Sequence, residues 1–208
     1  VDLDNLEKPY EAISYQWGSP KVSKTPISIS GKEVFISTTL TDILMQLRFH
    51  DRVRIVWADA LCINQVDHAE RQQQVGLMRR VYSQASRVVI CLGAQKSLAK
   101  ESLSAIKKLT SIWLRFQNSP SATSNKSQGI LDKKYRSTVG QATMKNILRI
   151  FQDSYWTRLW VVQEVVSSRL AVVQWGDEEI SWTLVGLAAV LIRNQESLWQ
   201  RFTSSEPT

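Results

Sequence analysis

Val53-Arg54-Ile55-Val56-Trp57-Ala58 and Arg87-Val88-Val89-Ile90-Cys91-Leu92 bracket one long amphipathic segment. Each short run is almost wholly apolar, as expected for a strand covered on both faces. Between them Asp67 stands three residues before Glu70, a capping-box-like helix start. Val75, Met78, Tyr82 and Ala85 then recur at helical spacing. Strand, helix and strand in that order predict an α/β domain with a largely parallel sheet. In such sheets ligands bind beyond the carboxyl ends of the strands. The segments to watch are therefore 17–20, 59–65, 93–96 and 175–178.

The pattern extends both ways. Upstream, Tyr10 to Trp17 reads as a strand ending at Gly18 and Pro20. Ile27-Ser28-Ile29 and Val34-Phe35-Ile36 alternate around Gly31-Lys32, a hairpin signal. Thr41 can cap a short helix carrying Ile43, Leu44 and Leu47. Downstream, residues 98–117 place Leu103, Ile106, Leu109, Trp113 and Phe116 on one helical face. Residues 118–137 are polar and turn-rich and read as an exposed loop inserted in the domain. Helical spacing returns at 139–151 and 155–166. Leu170 to Trp175 is a strand, Gly176-Asp177-Glu178 a turn, and 183–202 a closing helix. No internal repeat is visible.

With 208 residues the chain suits one domain with a sizeable core. It does not begin with Met, so the expectation is a piece of a longer protein. No stretch approaches the roughly 18 apolar residues of a membrane span, and the acidic first residues lack an apolar leader. Cys62 and Cys91 both lie in apolar runs, which predicts buried thiols in a reducing, cytoplasmic compartment. Two His and two Cys are too few for a zinc cluster, so no metal is expected. The net charge of +7 comes from dispersed Lys and Arg, with no basic block. Only the isoelectric point of 9.5 suggests a nucleic acid, and steep salt dependence would be its mark. Eight Trp against five Tyr and five Phe is an unusual ratio, suiting a site or a braced core.

Gly-x-Gly-x-x-Gly, a phosphate-binding Gly-Lys-Ser/Thr loop, the Gly-x-Ser-x-Gly elbow and His-Glu-x-x-His are all absent. A Cys62–His68 nucleophile pair has nothing to orient the imidazole. Three other segments are dense in unusual residues. They are Ser14-Tyr15-Gln16-Trp17-Gly18, Trp57 to Gln65 followed by Glu70 to Val75, and Trp156-Thr157-Arg158-Leu159-Trp160-Val161-Val162-Gln163-Glu164.

With Tyr82 to Gly93, these blocks resemble the fungal heterokaryon incompatibility (HET) domain. That family shows Ser-Tyr-x-Trp-Gly, Trp-x-Asp-x-x-Cys-Ile-Asn-Gln, Glu-Arg-x-x-Gln-Val, a Tyr-x-x-Ala helix end with a strand finishing Leu-Gly, and Trp-x-x-Arg-x-Trp-x-x-Gln-Glu. All occur here in order, from about residue 10 to 183. Only the 118–137 stretch departs, where such domains vary in length. The resemblance implies a role in self/non-self recognition and programmed cell death in filamentous fungi, often as part of a larger, NLR-like protein. It further implies a distant kinship with Toll/interleukin-receptor (TIR) domains. Ser14-Tyr15 matches their first strand end, and Trp160 with Glu164 matches their Trp-x-x-x-Glu. The implied fold is a flavodoxin-like or TIR-like three-layer α/β domain with a mostly parallel central sheet, an added hairpin and helical additions.

In NAD-cleaving TIR domains that Glu is the catalytic carboxylate, which makes Glu164 the candidate here. If 155–166 is one helix, Trp156, Trp160 and Glu164 lie along one stripe, drifting about 40° per four residues. A carboxylate there can hold ribose hydroxyls and stabilise an oxocarbenium-like centre as nicotinamide leaves. It can equally pair with Arg158 and tie the helix down. Asp59 can bind a ribose hydroxyl or cap its own turn. Arg71 can reach a phosphate or make an ion pair. Ser14, Tyr15 and Trp17 can border the pocket, with Trp17 stacking on a base, although Tyr15 also suits the core. Gly18 permits a turn or close approach. Asn64 and Gln65 suit turns, and Cys62 a buried structural thiol. The implied activity is NAD⁺ cleavage after self-association, with NAD⁺ as substrate and no cofactor. The rival is a non-catalytic signalling module, marked by an exposed apolar patch and Glu164 buried in an ion pair.

Overall fold

The structure, a computed structural model, describes residues 3–5, 8–18, 24–93, 96–118 and 141–194. The loop expected at 118–137 falls outside them beyond residue 118, as does the closing helix beyond 194. In chain order the elements begin with β1 (Glu11–Tyr15), β2 (Lys24–Ile29), β3 (Lys32–Ser37), α1 (Thr38–Leu47), β4 (Val56–Trp57) and the single turn α2 (Asp59–Cys62). Then come α3 (His68–Gln84), β5 (Arg87–Cys91), α4 (Lys96–Gln117) and α5 (Gln141–Gln152). A 3-10 turn (Ser154–Thr157), α6 (Trp160–Val166), β6 (Ala171–Trp175), β7 (Glu178–Ser181) and α7 (Trp182–Asn194) complete the series. They divide into two compact units, Val1–Ala94 with Ser154–Asp177, and Gln95–Asp153 with Glu178–Thr208.

The first unit is built on four parallel strands in the order β4–β1–β5–β6. Glu11 to Tyr15 pair with Arg87 to Cys91, and Val88 to Cys91 with Ala171 to Gln174. Side chains alternate across the sheet. Ile13, Tyr15, Val89, Cys91 and Val172 share one cluster with Ile36 of β3 and Leu40, Ile43 and Leu47 of α1. Each such buried aliphatic side chain stabilises the fold by about 1.5–3 kcal/mol. Helix α3 buries Met78, Val81 and Tyr82. Tyr82 donates to the Ile13 carbonyl at 3.3 Å, and Tyr10 to the Val81 carbonyl at 2.6 Å. Glu11 sits at the other strand ends, where its Oε2 accepts from Arg54 Nη2 at 2.7 Å and Arg87 Nε at 2.8 Å. Burial raises the Glu11 carboxyl, but the two guanidinium groups outweigh it and hold it below its ordinary value.

The second unit gathers α4, α5, β7 and α7. Helix α4 turns Leu103, Ile106 and Leu109 inward, and packs on α5, α7 and β7. Buried Ile147 and Ile150 of α5 and Val185, Ala188 and Leu191 of α7 complete this core.

Several local expectations shift. The strand expected over 53–58 contracts to Val56–Trp57, and Val53 is 88% exposed. Among the described residues β4 pairs only with β1, so its outer side faces no ladder. The cap of α1 is Ser37, whose Oγ accepts from Leu40 N at 3.2 Å. Thr41 lies one turn inside and donates back to the Ser37 carbonyl. The hairpin turns at Ser30-Gly31, one residue before Gly31-Lys32, with φ of 51° and 76°. Two consecutive left-handed residues are what a two-residue hairpin turn of the I′ kind requires. Asp67 caps α3 by accepting from Ala69 N and Glu70 N. Glu70 reaches past the cap to accept from Asn64 N at 3.0 Å.

Candidate functional site

Residues following β1 and β4, the face of α3 and the segment 158–164 surround a pocket of about 540 Å³ in the first unit. The pocket lies past the carboxyl ends of β1 and β4, where a parallel sheet leaves backbone groups free to meet a ligand. Its lining includes Trp17, Gly18, Asp59, Arg71, Trp160 and Glu164, six of the eight residues singled out from sequence. Gln16, Ile63, Gln65, Val75, Met78 and Arg158 complete it. Ser14 and Tyr15 do not line it; both are buried behind it on β1. Gly18 takes φ of 80°, which lets the chain leave β1 sharply beside the opening.

Glu164 lies on the inner face of α6 beside Val161 and Val165 and is 2% exposed. A carboxylate so placed is costly unless paired. Arg158 Nη2 donates to Oε1 at 3.0 Å and Nη1 to Oε2 at 3.4 Å. Ser14 Oγ also donates to Oε2. The single Ser14 hydrogen is then used, so Tyr155 is the donor in its 2.5 Å bond to Ser14 Oγ. A chain of three polar groups thus crosses from the 3-10 turn through β1 to α6. Burial, followed by the Glu164 charge, pushes the Tyr155 phenol up against the pull of Ser14 and Arg158. Tyr155 is the member that sequence reasoning missed. Its only signal is a Tyr one residue before the Trp-rich block.

The helix expected over 155–166 is broken. Residues 154–157 form the 3-10 turn and α6 begins at Trp160. Trp156 therefore leaves the stripe of Trp160 and Glu164 and packs edge-to-face on Tyr155 at 4.7 Å. The break lets Arg158 fold back onto Glu164, an arrangement closed to a continuous helix, whose neighbours lie three and four residues apart.

Asp59 opens α2. Its Oδ2 accepts from Trp17 Nε1 at 2.9 Å and its Oδ1 from Ala60 N at 2.8 Å. It therefore accepts one backbone N–H of its own turn, whose N-cap is Ala58, and also faces the pocket. Burial raises the Asp59 carboxyl; the Trp17 and Ala60 bonds oppose this, and the Glu164 charge adds to the rise. Burial and the nearby Asp59 charge in turn push the Tyr15 phenol well up. Gln65 Nε2 donates to the Asp59 carbonyl at 3.0 Å, and Asn64 Oδ1 accepts from Val66 N, the turn-fixing roles expected of both. Arg71 meets His68 Nδ1 at 2.9 Å on its own helix. Among the described residues it makes no ion pair, so its charge is available at the pocket.

Cys62 is exposed at the end of α2, against the expectation of a buried thiol. Cys91 is buried, and burial pushes its thiol up to about 12. Among the described residues no group of three His, Cys, Asp or Glu is placed to hold a metal ion. No described helix is long and apolar enough to cross a membrane.

A parallel α/β sheet with a two-carboxylate pocket at its strand ends defines the general class of this molecule. The family described as Heterokaryon incompatibility protein (HET) matches residues 10–164, and the chain belongs to that family. Heterokaryon incompatibility protein 6, OR allele, of Neurospora crassa is 38% identical over 96 residues. That match covers 40% of this chain and 14% of the Neurospora protein. No solved structure matches.

Proposed function

We propose that this HET domain acts in fungal incompatibility cell death by cleaving NAD⁺ to nicotinamide and an ADP-ribose product. Family membership supports the biological setting. The chemistry is carried by one observation, a buried carboxylate, Glu164, presented to an open pocket between Trp17 and Trp160. Three hydrogen bonds occupy its oxygens. A carboxylate has about four acceptor positions, so one remains for a ribose hydroxyl or the developing cation. Trp17 offers a ring for a base, and Arg71 a guanidinium for a phosphate. Counting parallel strands alone, the order is second, first, third, fourth, which supports a flavodoxin-like or TIR-like arrangement.

Self-association belongs to the same reading. Leu159, Val162 and Val166 are 84%, 63% and 78% exposed at or near helical spacing along α6. This stripe carries no charge, so two copies of a chain with net charge +7 can meet on it without opposing like charges. An NLR-type receptor is the kind of partner that would bring copies together, in the cytoplasm, without metal or cofactor.

Two observations favour a second reading, a signalling module without catalysis, and the exposed apolar stripe of Leu159, Val162 and Val166 is the first. The forked Arg158–Glu164 pair is what a purely structural carboxylate would show. NAD⁺ consumption by concentrated protein separates the two readings, with wild type beside Glu164→Gln and both checked for folding. Turnover by wild type alone supports cleavage. No turnover by either, even when artificially clustered, leaves the module.

A further inference from the structure

This inference rests on the NAD⁺-cleaving reading and assigns a second catalytic group within it. As the C1′–N bond breaks, its electron pair goes to the pyridinium nitrogen. Nicotinamide then leaves neutral and needs no acid. Water forms the new C1′–O bond and must lose one proton, so NAD⁺ and water give ADP-ribose, nicotinamide and H⁺. The pocket must therefore hold one group that stabilises the ribosyl cation and one that accepts a proton.

Two carboxylates line it, and their partners differ in kind. Glu164 is gripped by the Arg158 guanidinium and the Ser14 hydroxyl. A full positive charge therefore lies in direct contact with both of its oxygens. Asp59 is held by an indole N–H and a backbone N–H, both neutral. These orient its carboxylate with no cation in direct contact, although the Arg158 charge reaches it from a distance. We infer that Asp59 is the general base that takes the proton of the attacking water, while Glu164 remains the electrostatic partner of the ribosyl cation. The raised Asp59 carboxyl agrees with that division.

Two acceptors of the same ribosyl group test it. Water must shed a proton, whereas 3-acetylpyridine attacks through a nitrogen lone pair and sheds none. Wild type, Asp59→Asn and Glu164→Gln are compared for NAD⁺ hydrolysis and for base exchange with 3-acetylpyridine. Asp59→Asn is expected to lose hydrolysis on the order of 100-fold and to keep exchange. Glu164→Gln is expected to lose both. Retained exchange also reports that the Asp59 variant is folded. Asp59→Ala supplied with formate is expected to regain hydrolysis. If Asp59→Asn loses both reactions in proportion, or neither, the base assignment is overturned while NAD⁺ cleavage stands. If clustered wild type catalyses neither reaction, the cleavage reading falls and takes this assignment with it.

Discussion

Arg158 and Glu164, six residues apart, close a two-pronged ion pair across the start of α6 at 3.0 and 3.4 Å. The guanidinium is mostly covered and the carboxylate almost wholly so. Removing the cation strands a buried anion, which costs more than the pair itself contributes. Arg158→Ala should therefore destabilise the protein by about 3 kcal/mol. Adding Glu164→Gln to that variant should recover part of the loss. Urea unfolding of the single and double variants reads this directly. Equal midpoints for Arg158→Ala and wild type would show that the carboxylate has another way to be satisfied.

Ser14 is the shared member of the Tyr155–Ser14–Glu164 chain. Ser14→Ala leaves a buried phenol and a buried carboxylate each short of a partner, for a cost of about 2 kcal/mol. Tyr155→Phe removes one donor at the chain's end and should cost less. The two changes touch one network, so their sum should exceed the double variant's loss. Additive losses in denaturant titrations would mean that the hydroxyl groups act independently.

Glu11 predicts an acid limb in the stability profile. Its carboxyl lies below the ordinary value of 4.5 in the folded chain, because Arg54 and Arg87 prevail over burial. The unfolded chain then binds the proton more readily. Glu11 stabilises the fold above its unfolded value, and that contribution drains as pH falls through its folded value. Glu11→Gln should lower stability by roughly 2 kcal/mol at neutral pH. The gap from wild type should narrow below about pH 4. Denaturant midpoints taken from pH 7 downward test it, and a gap that widened on acidification would contradict the assignment.

The two thiols should react unequally. Cys91 is buried with its thiol pushed up to about 12, whereas Cys62 is exposed. Iodoacetamide should label Cys62 alone in the folded protein and both after unfolding, as mass spectrometry of the peptides would reveal. Early labelling of Cys91 would indicate local opening of β5.

The parallel character of the sheet and six of the twelve lining residues were legible because both follow from local patterns. Apolar runs marked β1, β5 and β6, and the residues just past β1 and β4 were read as the ligand edge. Chain breaks without punctuation were not legible. Nothing glycine- or proline-like separates Tyr155 from Val166, so the apolar spacing ran on across the Arg158 kink. Val53 looked like strand because composition cannot show that an edge ladder ends early. The Ser14–Glu164 bond spans 150 residues, and no local rule could pair those two side chains. Arg158 was readable as a salt partner of Glu164, but its return path required the break to be known.

That long span has a consequence for the order of events during synthesis. Translation proceeds from the N-terminus, and Ser14 emerges with the first strand. Tyr155, Arg158 and Glu164 leave the ribosome only about 140 to 150 residues after it. Until then β1 carries a hydroxyl with no carboxylate to bind, and the pocket lacks the wall formed by 158–164. A nascent or prematurely terminated chain can display the whole α3 face and still hold no assembled site. Any chemistry of this pocket is thus withheld from every nascent chain that ends before residue 164.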